Sequence, residues 1–274
     1  MLFLAQVLMA VAPPVINASP DVAVRADISY LADGNPAHTL DLYLPRGEHN
    51  PPLLVFVHGG AWISGSKAAY SRVGQFFAGR RIATAVLNYR LSRDPKVRHP
   101  DHCRDVAAAI QFLQGHSRDY RYDSGRTFLL GHSAGAHMEG MFATDRGLLG
   151  NARIAGFIGL EGIYDIPALQ RSFPTYRDWF LAAAFGPDSA WAPASPTLRP
   201  VTAKTPWLVI HSKSDELVDQ PQSVKWADHL CKSDVPVELV LEDYGKHFDT
   251  VSVFDSDASS KEADRILKFI ADHR

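Results

Sequence analysis

The 274-residue chain has only two cysteines, Cys103 and Cys231, far apart and in no metal-ligand spacing. That sets aside a disulfide framework and a zinc site, and both thiols read as small apolar side chains. An excess of one charge is also missing. Twenty-eight Lys and Arg face 30 Asp and Glu, a formal balance of −2, so neither a nucleic-acid footprint nor attraction to an anionic membrane is supported. HExxH, the P-loop and a GxGxxG following a strand are absent, and His132 and His137 are poorly spaced for one helix face. No cofactor and no metal are expected, and a small substrate is the default.

The first twelve residues, MLFLAQVLMAVA, are apolar but fall short of the roughly 20 needed to cross a bilayer, which argues against integral membrane association. They have the length of a signal peptide, yet no Lys or Arg precedes Arg25 and Pro13-Pro14 follows the small-residue site Ala10-Val11-Ala12. Residues 1–20 therefore stand as either a signal peptide or an apolar segment packed on the body. Secretion follows from the first and a cytoplasmic location from the second.

Beyond Pro20 the pattern is of short strands and helices. VRADISY (24–30) and HTLDLYL (38–44) alternate and flank Asp33-Gly34-Asn35-Pro36, as in an antiparallel hairpin. LLVFV (53–57) is continuously apolar, as for a strand buried on both faces. Helix-like and strand-like segments then alternate: 68–78, 82–87, 101–114, 126–130, 134–144, 154–160, 207–211, 221–232, 237–242 and 259–272. Alternation of this kind implies βαβ units, and hence an α/β fold of about eight mostly parallel strands flanked by helices. Residues 21–274 read as one domain. Within it, about 162–205 is a Pro- and aromatic-rich stretch with two short helices and no strand signal. It is too small for a core of its own and reads as a cap insertion.

Gly131-His132-Ser133-Ala134-Gly135 fits G-x-S-x-G, with the strand RTFLL before it and a helix after it. A serine hydroxyl becomes a nucleophile only when a base takes its proton and an acid orients that base. Of twelve histidines, His247 is best placed, directly after the last strand VELVLE. Asp215, four residues beyond WLVIH, is the favoured acid over Asp219, which also suits the cap of the helix near Pro221. His58-Gly59-Gly60-Ala61-Trp62 follows a buried strand, so the N–H groups of Gly59 and Gly60 are candidate oxyanion donors with that of Ala134. His58 reads as an anchor of this loop.

HGGAWISGSK (58–67), LNYRLS (87–92), GHSAGAHM (131–138), GIYDIPAL (162–169), SPTLRP (195–200) and KHFD (246–249) are spread over most of the chain. With these strings the chain resembles the HGG-bearing, hormone-sensitive-lipase-like esterase branch of the α/β-hydrolases, and within it is most similar to kynurenine formamidases. The resemblance implies a triad of Ser133, Asp215 and His247, with donors at Gly59, Gly60 and Ala134. It departs at Glu161, where the formamidases usually carry a small residue.

Glu161 is at the end of a central strand, so it either faces the pocket or supports a neighbour. Trp62, Glu161 and Tyr164 are taken as substrate contacts, and Tyr176, Trp179 and Trp191 as further aromatics of the pocket. The expected activity is hydrolysis of a formamide, with an arylformamidase foremost, or of a short-acyl ester. A scaffold that binds without catalysis is the third reading. The expected partner is a small acyl substrate, and the chain is a monomer or a homodimer.

Overall fold

The computed structural model describes residues 20–258 and 260–273. The two readings of residues 1–20 fall outside these apart from Pro20. Among the described residues one sheet of eight strands has the order β1-β2-β4-β3-β5-β6-β7-β8. The strands are β1 (Val22–Ser29), β2 (Thr39–Pro45), β3 (Pro52–Val57), β4 (Ala83–Leu87), β5 (Asp123–His132), β6 (Gly156–Leu160), β7 (Trp207–Ser212) and β8 (Val237–Glu242). β1 and β2 form the expected hairpin, in whose turn the Asn35 N–H donates to Asp33 Oδ1 at 3.0 Å. β2 also runs antiparallel to β4, and every other pairing is parallel.

The strand period of two divides the core. On β3, Leu53, Val55 and Val57 point to one face and Leu54 and Phe56 to the other. The first face is covered by α2 (Asp101–Gly115), α3 (Ala134–Thr144) and α5 (Pro221–Lys232), through residues such as Val106, Phe142 and Trp226. The second is covered by α1 (Ser71–Ala78) and α6 (Lys261–Asp272), through Phe76, Phe77, Ile266 and Phe269. Ser260 starts α6 by accepting the Ala263 N–H at 3.1 Å, a cap that also faces the acidic first turn Glu262 and Asp264.

Between β6 and β7 the chain contains no strand. α4 (Ile166–Ser172) is capped by Asp165, which accepts the Ala168 N–H at 2.9 Å. A wide turn at Arg177–Leu181 and one helical turn at Ala182–Phe185 follow. Their apolar side chains form a third cluster that also takes in Trp62, Ala134 and Val218 from the edge of the sheet.

The sheet order places the site. After β3 the chain lays β4 on one side, then crosses back so that β5 lies on the other side of β3. At such a reversal the connections diverge, and a crevice opens at the carboxyl ends of the two strands. His58-Gly59-Gly60 follows the end of β3, and Ser133 the end of β5.

Trp226 is fully buried, stacked on Tyr164 at 5.2 Å and edge-on to Trp207 at 5.3 Å. Trp226→Ala is expected to cost about 3–5 kcal/mol in urea unfolding, as for other large-to-small core changes. Leu198→Ala, at a side chain 52% exposed, should leave the midpoint almost unmoved.

Candidate active site

Ser133 directly follows β5 with φ 54° and ψ −113°, a strained backbone for a residue with a Cβ. Two bonds hold it: the Ser133 N–H donates to Leu160 O at 2.8 Å, and Ser133 O accepts the His137 N–H at 3.1 Å. The turn leaves no room beside the serine. A Cβ on Gly135 would lie 2.0 Å from Val57 O, and one on Gly131 2.5 Å from Ala136 N. α3 starts at Ala134, whose N–H belongs to the first turn and has no acceptor within the helix.

His247 and Asp215 are brought together from separate loops. His247 Nδ1 donates to Asp215 Oδ2 at 2.7 Å, leaving Nε2 as the free acceptor on a ring that shares a pocket wall with Ser133. Asp215 Oδ1 accepts the N–H groups of Leu217 (2.8 Å) and Val218 (3.0 Å). Burial opposes ionisation of Asp215, but the hydrogen bond and charge of His247, aided by Glu161 and the Val218 N–H, hold its carboxyl well below the usual range. Asp219, the rival acid, instead accepts a hydrogen bond from Ser172 at 3.1 Å, and its side chain does not cap α5.

The pocket beside Ser133 is lined by Gly60, Ala61, Ile163, Tyr176, Trp179, Phe180, Leu217, Val218, His247 and Phe248. The loop after β3 enters it one residue later than expected. Gly60 (φ 119°), Ala61 (φ 53°) and Trp62 (φ 60°) are all left-handed, which turns Gly60 and Ala61 to the pocket. Gly59 lies behind them, where a Cβ would meet His132 Nδ1 at 2.7 Å and Ser133 Cβ at 3.0 Å.

A family model described as BD-FAE matches residues 40–230. The chain belongs to the BD-FAE family. A probable isoprenylcysteine alpha-carbonyl methylesterase of Arabidopsis thaliana is 30% identical over 247 residues, 82% of this chain and 51% of that protein. The chain thus spans about half the length of the first curated relatives it matches. A kynurenine formamidase of Meyerozyma guilliermondii is 32% identical over 209 residues, 71% of this chain and 77% of that one. Among solved structures, a truncated carbohydrate esterase from gut microbiota superposes with a TM-score of 0.80 at 18% identity, covering 93% of this chain and 98% of that one. It shares the α/β-hydrolase fold.

In this BD-FAE member the three expected substrate contacts all lie outside the pocket wall, and each is fully buried. Trp62 is edge-on to His137 (4.9 Å) and Phe185 (4.7 Å), inside the core of the cap. Tyr164 turns back beneath the sheet, where a Cβ at Gly159 or Gly162 would lie 2.2 Å from its hydroxyl. Glu161 (φ 50°) points at the base of the acid loop, its Oε1 accepting the Ser212 N–H at 2.9 Å. Of the cap aromatics, Tyr176 and Trp179 reach the pocket, whereas Trp191 donates to Gly186 O at 3.2 Å within the cap.

Three buried histidines brace the site without taking part in it. His58 Nδ1 donates to Gly59 O (2.7 Å), His132 Nε2 to His247 O (2.9 Å) and His137 Nε2 to Ala194 O (2.8 Å). Burial pushes them down to about 4, 3 and 3, so they stay neutral donors at physiological pH. The anchor role expected of His58 agrees with its bond and with Tyr89, whose hydroxyl donates to His58 O at 2.9 Å. The brace from His132 went unread in the sequence, although its position inside G-x-S-x-G places it beside whatever loop carries the base.

A Cβ at Gly60 would lie 2.2 Å from Ser64 O at a backbone angle that suits glycine. Gly60→Ala is expected to displace the loop and, with the Gly60 N–H as a candidate oxyanion donor, to lower kcat for any hydrolysis at Ser133 by ~10²–10³. KM should change little, and far-UV circular dichroism should show an intact fold.

Proposed function

We propose that the protein is a serine hydrolase that cleaves short-acyl esters of uncharged alcohols. The observation that carries this reading is the pocket wall at Ser133, which contains no Lys, Arg, Asp or Glu. Of the charged side chains next to it in sequence, Lys246 pairs with Glu216 at 2.9 Å, and Arg177 with Asp188. An apolar acyl or alcohol group fits such a wall, whereas a charged one would lose its hydration there without a partner.

In this reading His247 Nε2 takes the Ser133 proton as Oγ attacks the acyl carbon. The N–H groups of Gly60, Ala61 and Ala134 receive the charge that develops on the carbonyl oxygen. Asp215 stays ionised and holds Nδ1–H, so the imidazolium formed is stabilised in the right tautomer. His247 then gives the proton to the leaving alcohol. Water, deprotonated by the same histidine, releases the acid from Ser133.

Kynurenine formamidase is the second reading, favoured by the Meyerozyma relative and by GHSAGAH, GIYD and HFD in that order. A formamide passes through the same tetrahedral intermediate, so the same catalytic residues serve both. N-formylkynurenine, however, brings an ammonium and a carboxylate that find no counter-charge in the wall.

The ratio of kcat/KM for p-nitrophenyl acetate to that for N-formyl-L-kynurenine separates the two. A ratio well above one is expected, and a ratio well below one hands the protein to the formamidase reading. Ser133→Ala should abolish both activities, and turnover that survives it would place the nucleophile elsewhere.

A further inference from the structure

The base of the acid loop brings two carboxyl groups together, and among the described residues no Lys or Arg pairs with either. Glu161 ends β6, Asp215 follows β7, and each approaches His211 Nε2, at 3.2 and 3.6 Å. The three groups offer atoms that all lie within 4.8 Å of one another. His211 does not balance the charge. Its Nε2 donates to Val218 O at 3.1 Å, so Nδ1 accepts the Ser223 hydroxyl at 2.7 Å, and burial lowers its affinity for a second proton. Two carboxylates so close in a dry site cannot both ionise.

The hydrogen bonds decide which one keeps the proton. Asp215 accepts from Leu217 N, Val218 N and His247 Nδ1. Glu161, fully buried, accepts the Ser212 N–H on Oε1, and its Oε2 makes no well-aligned hydrogen bond among the described residues. Burial, then the Asp215 charge, raise the Glu161 carboxyl far above the usual range. The unpaired Oε2 is the oxygen open to carry a proton. The other groups facing it are His211, the Thr250 hydroxyl, Tyr164 and, across Asp215, His247. The left-handed backbone at Glu161 (φ 50°), rare for a residue with a Cβ, is what turns this side chain inward.

We propose that Glu161 is a positioning residue for the triad: it stays protonated and donates to Asp215, completing the donors that fix the acid against His247. This rests on the proposed roles of Ser133, Asp215 and His247. It also gives a reason for a glutamic acid at a position where the sequence departs from its formamidase-like pattern. Ionisation of Glu161 at alkaline pH would remove the donor and place a second charge beside Asp215, so activity should fall there.

The test compares the wild type with Glu161→Gln and Glu161→Ala. Glutamine keeps both an acceptor for Ser212 N–H and a donor for Asp215 but cannot ionise. It should retain kcat within a few-fold and lose the alkaline fall in kcat/KM. Alanine should lower kcat roughly 10-fold or more with KM unchanged, the loss expected for one hydrogen bond to a charged group. Infrared difference spectra, wild type minus Glu161→Gln, should show a protonated carboxyl band at neutral pH; Glu139, another buried acid whose carboxyl burial holds well above the usual range, cancels in that difference.

Absence of that band overturns the proposal, as does a Gln variant as impaired as the Ala variant. Zinc retained stoichiometrically through Glu161, His211 and Asp215 would overturn it too. The infrared band requires no substrate. Its presence without reaction of Ser133 with a fluorophosphonate would sink the hydrolase reading, whereas its absence with normal reaction would sink only the role of Glu161.

Discussion

The structure depends on one strained turn, at Ser133, where β5 becomes α3 with almost no space. Val57 O, at the end of β3, would be 2.0 Å from any Cβ on Gly135. α3 is therefore pressed against the strand that carries the HGG loop. That contact sets the distance between Ser133 and the N–H groups of Gly60 and Ala61, and it exists because the sheet reverses its order of construction between β3 and β5. The strain at Ser133 is held by bonds to Leu160 and His137 rather than by the turn alone.

Around this turn the chain uses neutral polar groups as struts. His58, His132 and His137 each donate to a main-chain carbonyl, tying together the HGG loop, the loop of His247 and the cap. Ser212 adds a further tie, its hydroxyl bonding Tyr244 O at 3.0 Å and also Gly245 O. A buried polar group that is satisfied in only one geometry fixes that geometry. In the proposed mechanism, the imidazolium formed on His247 would be matched by the Asp215 carboxylate.

Much of this was legible in the sequence because local signals and fold agree. The pairing of His247 with Asp215 followed from two apolar strands, each ending directly in a polar loop, and the helices at 134–144 and 221–232 have the expected limits. β5 runs longer than its apolar core, starting at Asp123, because Asp123 pairs with Pro52 across a register shift that precedes Leu53 and Thr127.

What stayed hidden depends on backbone angles and on partners distant in sequence. Nothing in HGGAW states that Gly60, Ala61 and Trp62 are all left-handed, so the loop enters the pocket one residue late and Trp62 turns into the cap. Tyr164 stacks on Trp226, 62 positions further on, because Gly159 and Gly162 leave space for its ring. The apolar wall came partly from Leu217 and Val218, whose main chain also grips Asp215. The central claim is that Ser133 is an activated nucleophile. Intact-mass analysis with peptide mapping after brief exposure to a fluorophosphonate tests it most directly: a single adduct on Ser133 is predicted, and no adduct, or one on another residue, would contradict it.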